Sequence, residues 1–184
     1  MAALLAEAHD RPAYEQLCKR IPATFIETTN PYIAWRVALG CLLLRNSGAD
    51  PRLVEQLATK AVTLGNRDSG IGYFQACKAL SEYREGGFAQ AVEWAERGRT
   101  NSDVFARAEG CAVLAMAEWR LGLKDVARAA LDQGDKLAPD ISSDHAVDLG
   151  DGWLDWLVAR ILLNEATELI ANESTPGAKS KNQH

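Results

Sequence analysis

The chain has 184 residues, 47% apolar and 24% charged, so it is long enough to bury one sizeable core. Its net charge of −5 and isoelectric point near 5.3 argue against a general nucleic-acid-binding protein, which needs a basic surface. No apolar run reaches the roughly 18 residues that span a bilayer, and no basic-then-apolar signal peptide opens the chain. We therefore expect a cytoplasmic protein that binds neither nucleic acid nor membrane.

The N-terminal third predicts two helical hairpins, over about 2–27 and 31–64. Three helix starts in it carry the same signal, a side chain that caps the first turn and a proline close behind it. They are Asp10-Arg11-Pro12, Asn30-Pro31 and Asp50-Pro51. The helix after Pro31, expected over 32–45, is apolar around much of its circumference, Ile33 included, which favours burial between neighbours.

A spacing of 36 residues relates two later segments. Tyr83-Arg84, Gly86, Ala91 and Gly98 recur in order as Trp119-Arg120, Gly122, Ala127 and Gly134. A fixed period of about 20–50 residues is typical of stacked supersecondary units. The first glycine of each set allows a turn with positive φ, and the alanine and second glycine let two helices approach closely. The segments predict hairpins over 70–99 and 103–137, the latter capped by Asp103.

The C-terminal part predicts one last helix, over 152–171, after a polar connection at 140–151. Its first turns are apolar on most sides, and polar residues at fourfold steps from Arg160 mark a solvated face. A terminal unit of a stacked array needs such a half-polar element to cover the end of its core. The polar tail, 173–184, is expected to be disordered.

The repeat resembles the tetratricopeptide repeat, of period about 34 residues, with its small residue, turn glycine, alanine and closing proline. In the last hairpin the matching residues are Ala115, Gly122, Ala127, Leu137 and Pro139. The hairpin before it departs from the pattern, with Gly98 where the family prefers alanine and no closing proline. The resemblance implies an all-α fold over 1–172, a right-handed α-α superhelix of about four hairpins with a C-terminal capping helix.

A second resemblance covers residues 2–171 and is strongest at WLDWLVARILLNEA. This stretch is similar to the C-terminal helical-repeat region of large bacterial multidomain proteins, where a Ser/Thr kinase or propeller domain precedes the repeats. The kinase glycine-rich loop and the HRD and DFG triplets are absent. The chain would then be such a region without its catalytic partner.

The resemblance implies a non-enzymatic module that binds a peptide or partner protein on a concave surface, formed by the first helix of each hairpin. Aromatic residues and arginines are common in interaction hot spots, and arginine favours carboxylates. The residues expected on or near that surface are Arg36, Tyr73, Tyr83, Arg84, Glu109, Met116, Trp119 and Arg120.

Two alternatives stay open. Tyr83 and Trp119 would equally serve packing between repeats, and Arg84 and Arg120 would equally be solvated caps at helix C-termini. The whole chain would equally be a detached accessory or scaffold domain of a bacterial Ser/Thr kinase-type protein, with a structural role or self-association as a homodimer.

The sequence offers no catalytic constellation, and we expect no enzyme, metal or cofactor. The cysteines at 18, 41, 77 and 111 are far apart and read as small buried thiols in a reducing compartment. Cys18 precedes Lys19-Arg20, which would activate a thiol, but it shares an apolar helix face with Tyr14 and Leu17. Pro22 is expected to kink or restart that helix. The acidic residues around His145 read as a solvated loop, with a metal site as the weaker alternative.

Overall fold

The computed structural model describes residues 1–137 and 152–174, and every element of regular structure in these ranges is helical. The expected all-α class is therefore confirmed. Nine helices lie in the described ranges: α1 Ala2–Glu7, α2 Arg11–Phe25, α3 Pro31–Leu42, α4 Pro51–Leu64, α5 Ile71–Arg84, α6 Phe88–Arg99, α7 Val104–Arg120, α8 Lys124–Leu137 and α9 Trp153–Ser174. The polar connection at 140–151 and the tail beyond 174 lie outside the described residues.

Side-chain caps fix the starts of four helices. The carboxylate of Asp10 accepts a hydrogen bond from the backbone N–H of Ala13, and that of Asp50 accepts one from Arg52. Asn30 and Asp103 each accept two backbone N–H bonds from the first turns of α3 and α7. These contacts satisfy donors that a helix start otherwise leaves unpaired. The predicted N-caps are confirmed at all four positions.

The two repeated turns have the same geometry. Gly86 and Gly122 have φ of +84° and +82°, and a Cβ built on either would meet nothing within 4 Å. Backbone conformation, rather than space, therefore requires glycine there. In both turns the next residue donates its N–H five residues back, Gly87 to Glu82 at 2.9 Å and Leu123 to Glu118 at 3.0 Å. This bond is typical of a helix that ends in a left-handed residue.

Small residues mark the helix crossings, as the repeat predicts. Ala91 and Ala127 are fully buried. A Cβ on Gly98 would lie 3.2 Å from the backbone nitrogen of Ala76, and one on Gly134 would lie 3.1 Å from the Cβ of Cys111. Helix α6 thus packs closely on α5, and α8 on α7, at corresponding places.

The helices pack in an order that buries α7 most deeply. Consecutive helices from α3 to α8 are in contact, and α3, α5 and α7 also pack side by side; we call these three the inner row. Helix α9 packs on α7 and α8 and reaches α1 at the N-terminus. All residues from Ala108 to Trp119 are buried as a result. Among the described helices, none combines the length and apolar character needed to cross a bilayer.

Helix α2 runs without a break through Pro22, so the expected restart does not occur. Proline has no N–H to donate to the carbonyl four residues earlier, here that of Cys18. The thiol of Cys41 lies 4.0 Å from that oxygen in donor geometry, and the thiol of Cys18 donates to the carbonyl of Gly40 at 3.8 Å. Contact with α3 thus offsets part of the loss that the proline causes.

Candidate interaction surface

Exposure differs sharply among the three helices of the inner row. No residue of α5 is exposed, and α7 exposes only Arg120 at its last position. Helix α3 exposes three large side chains, Tyr32, Ile33 and Arg36. The expected burial of Ile33 is therefore wrong, since its side chain is 39% exposed. Apart from Arg120, the exposed residues of the inner row therefore lie in the N-terminal half of α3.

An apolar groove runs along this half of α3. Its volume is about 480 Å³, and the start of α1 closes one end. Ala2 packs there against Gly40, where a Cβ would come within 3.1 Å of the Ala2 Cβ. We call this cavity the α3 groove, and it is lined chiefly by Leu17, Ile21 and Phe25 of α2 and Ile33, Val37 and Gly40 of α3.

Among the residues that the structure describes, Arg36 is the only one with a charged side chain that lines the α3 groove. Its guanidinium carbon lies 4.6 Å from the centre of the Trp35 ring, a cation–π contact. In the described part of the chain, Arg36 forms neither a hydrogen bond nor an ion pair within the protein. Its donors are therefore held at the edge of an apolar groove, with no acceptor among the described residues.

Aromatic contacts fix the end of the α3 groove away from α1. The Tyr32 ring meets Phe74 and Trp35 edge-on, with centroids 5.2 and 6.4 Å apart. Its hydroxyl donates a hydrogen bond to the Asp68 carboxylate. The pKa of Asp68 is lowered, first by the backbone N–H of Gly70 and then by this hydroxyl. This end of the groove is therefore pre-organised rather than a mobile loop.

Glu109, another of the predicted binding residues, lies in the interior. It is 1% exposed, and neither carboxylate oxygen has a hydrogen-bond partner. Burial raises its pKa well above the usual range, and the charges of Asp155 and Asp103 raise it further. Tyr73 is half-buried beside it, and its pKa is also raised by burial and by Asp103. Glu109 is thus an interior acid whose ionisation is disfavoured by burial, and a ligand cannot reach it in this conformation.

Met116 and Trp119 are also interior, at 0% and 2% exposed. The ammonium group of Lys124 lies 3.5 Å from the centre of the Trp119 ring and donates to its backbone oxygen at 3.1 Å. Trp119 is therefore buried within the last hairpin, against Lys124 and Arg128 of α8. Its position does not bring it to a ligand surface.

Arg84 is used inside the molecule. It donates to both carboxylate oxygens of Glu165 in α9, at 2.5 and 2.6 Å, and to the carbonyl of Leu42 at 2.9 Å. Arg45 donates to the same carboxylate at 2.7 Å and to the Tyr83 hydroxyl at 2.8 Å. These contacts lock α9 to the C-terminal ends of α3 and α5.

Arg120 is the remaining predicted binding residue. It is exposed and lines a second cavity, also of about 480 Å³, together with Arg45, Tyr83 and Arg84. This cavity lies at the C-terminal ends of the inner-row helices, whereas Tyr32 lies at the N-terminal end of α3. The predicted set is thus not a single surface, because Arg36 and Arg120 lie at separate places and the residues between them are covered.

The four cysteines are free and buried, as expected. Cys18 is fully buried, and a hydrogen bond from Cys41 lowers the pKa of its thiol against the opposing effect of burial. No group of three His, Cys, Asp or Glu side chains in the described ranges has a metal-binding arrangement. The cluster around His145 lies outside those ranges.

Sequence reasoning missed Ile33, Tyr32 and Phe25 as surface residues. Tyr32 and Arg36 stand four positions apart with Ile33 between them, a spacing that places them on one helix side. That spacing could have indicated an exposed face of α3. It could not show that α1, which is only six residues long, leaves this face uncovered.

Comparison with known proteins finds no match: no family model, no curated protein and no solved structure matches this chain.

Proposed function

We propose that the protein is a non-enzymatic protein–protein interaction module, a tetratricopeptide-like right-handed stack of helical hairpins. Two features support this architecture. The Gly86 and Gly122 turns share one geometry 36 residues apart, and the small residues Gly98 and Gly134 lie at equivalent helix crossings. Stacks of this kind present an inner row of helices to their ligands.

One observation carries the binding role, the exposure of Tyr32, Ile33 and Arg36 beside the α3 groove. Elsewhere the residues of the inner row are buried or half-buried except Arg120, with α9 packed on α7 and Glu165 bonded to Arg45 and Arg84. A peptide or partner domain would therefore bind at α3. An apolar groove next to an arginine is the usual composition of a binding hot spot.

The second candidate is a detached accessory or scaffold domain of a bacterial kinase-type protein, acting through self-association. The same exposed apolar side chains favour it, since Phe25 and Ile33 would also suit contact with a second copy. The two candidates differ in what covers the groove.

A selection from a displayed library of random twelve-residue peptides tests the proposal. Wild type should enrich peptides whose binding is lost with Ile33→Asp, which puts a charge into the groove. Val126→Asp, at a 53% exposed position of α8, is the matched control and should keep binding. Melting curves should show that both variants remain folded.

Two outcomes contradict the binding role. The first is that no enriched peptide depends on Ile33. The second is that light scattering finds a wild-type dimer that Ile33→Asp dissociates, which would support the scaffold candidate instead.

A further inference from the structure

We propose that the α3 groove binds an amphipathic segment of a partner protein, with apolar side chains between α2 and α3 and a carboxylate on Arg36. This inference rests on the proposed function and adds the chemistry of the ligand to it. It follows from the walls of the groove, the length of the groove, the charge of Arg36 and the way α1 packs beside the groove.

The walls select apolar side chains. Leu17, Ile21 and Phe25 follow one another on α2 at helical spacing, and Ile33 and Val37 face them from α3. Phe25 and Ile33 are 37% and 39% exposed, so covering them would remove apolar surface from water. A polar ligand would gain nothing from these walls and would lose its own hydration.

The length suits a short segment. From Ile33 to Gly40 the groove follows seven residue steps of α3, roughly 10 Å at the rise of an α-helix. Two turns of a partner helix cover that distance, with apolar residues at positions three or four apart. The volume, about 480 Å³, is within the usual range for small binding sites.

The positive charge of Arg36 favours a partner segment that carries a carboxylate. The Arg36 guanidinium is positioned by the Trp35 ring, and no other charged side chain of the described residues lines the groove. A planar guanidinium binds a carboxylate through two parallel hydrogen bonds. Asp155 and Glu109 lie within electrostatic range of Arg36, but neither forms an ion pair with it, and burial raises the pKa of both. Arg36 therefore keeps its capacity for a carboxylate from outside.

Helix α1 shows how a helix can lie against this side of α3. Ala2 contacts Gly40, and Ala3 and Ala6 are buried. Small residues let the backbones approach, and the groove begins where α1 starts. A partner helix would pack on α3 next to α1 in the same way, with Ile33 and Val37 beneath it.

The test uses peptides from the library selection that depend on Ile33. One such peptide would be synthesised with its acidic residue intact and with that residue changed to Gln or to Lys. Binding of the labelled peptides to the full chain would be followed by fluorescence anisotropy. With wild type we expect the Gln change to weaken binding about tenfold, as for loss of a bidentate charged pair. With Arg36→Glu we expect the order to reverse, so that the Lys peptide binds better than the acidic one.

The outcomes separate this inference from the proposed function. Ile33-dependent peptides that need no acid, or that bind wild type and Arg36→Glu equally, would overturn the inference and leave the binding role intact. A selection without Ile33-dependent peptides would overturn both. A second copy of the chain in the groove, seen as a dimer that Ile33→Asp dissociates, would also overturn the inference.

Discussion

Both carboxylate oxygens of Glu165 accept hydrogen bonds from the guanidinium of Arg84, at 2.5 and 2.6 Å. The two residues are 81 positions apart, and their side chains are only 18% and 11% exposed. Arg45 adds a third bond to the same carboxylate. The contact joins α9 to the C-terminal ends of α3 and α5, while α9 packs directly on α7.

Loss of one partner from this pair should destabilise the fold. Glu165→Ala leaves the Arg84 charge in a partly buried place, and we expect a loss of about 3 kcal/mol in the free energy of unfolding. Urea denaturation measures it. Arg160→Ala, which breaks the exposed ion pair with Glu7, is the control and should change stability by less than about 1 kcal/mol. Equal losses in both variants would contradict a structural role for Glu165.

The pair of Glu165 and Arg84 also predicts that the stability of the fold decreases at acidic pH. Burial alone would raise the pKa of Glu165, but Arg84 and Arg45 lower it below its usual value. A carboxyl whose pKa is lower in the folded than in the unfolded state stabilises the fold above the unfolded pKa. That stability is lost as pH falls through the folded pKa. Glu165→Gln should therefore flatten the stability curve below about pH 4.5, a typical unfolded value for Glu. An unchanged curve would count against the pair.

The buried Glu109 predicts the opposite dependence, a loss of stability as pH rises. Its pKa is raised in the fold, so the protein is most stable with the acid protonated, and this stability is lost as pH rises toward the folded pKa. Glu109→Met removes a buried group that has no partner. We expect it to raise stability at pH 8 by roughly 1–3 kcal/mol, and by less at pH 5. Exposed Glu93→Gln is the control. A destabilised Glu109→Met would show that the carboxylate has a function in the fold.

The two turn glycines should behave alike. Gly86→Ala and Gly122→Ala each force a left-handed backbone on alanine, at an expected loss of about 1 kcal/mol. Gly87→Ala is the neighbouring control, because Gly87 has φ of −77° and its nearest contact is a flexible side-chain atom of Glu82. Thermal melting of the single and double variants measures the effects. A marked difference between the two repeats would contradict their equivalence.

The variant Trp119→Ala distinguishes a packing role of Trp119 from a role in ligand binding. Because the ring is 2% exposed, Trp119→Ala should cost about 3–5 kcal/mol of stability. At a temperature where the variant remains folded, its affinity for an Ile33-dependent peptide should match that of wild type. Urea denaturation and anisotropy give the two quantities. Weaker binding by the folded variant would place Trp119 in the ligand surface after all.

Local features of this fold could be predicted from sequence because they depend on near neighbours. Asp10, Asn30, Asp50 and Asp103 cap helices through residues two or three positions ahead, and Gly86 turns the chain by its own φ. The surface could be predicted only in part. Whether Ile33 is covered depends on where α1 packs, and α1 is joined to α9 by an ion pair between Glu7 and Arg160, 153 positions away in the chain.

Glu109 and Met116 show the limit most clearly. Each lies on the first helix of a hairpin, where a repeat array usually presents side chains to a ligand. Both are buried, because α9 packs on α7. The periodicity of α7 alone could not reveal this, since apolar and small residues occur on every side of the helix.

The central claim, that a partner binds at α3, is tested most directly by amide chemical shifts. An Ile33-dependent peptide would be titrated into ¹⁵N-labelled full chain. We predict shift changes concentrated at 17–25 of α2 and 32–41 of α3, with α8 unchanged. Changes confined to α7 and α8, or to the cavity at Arg120, would contradict the claim.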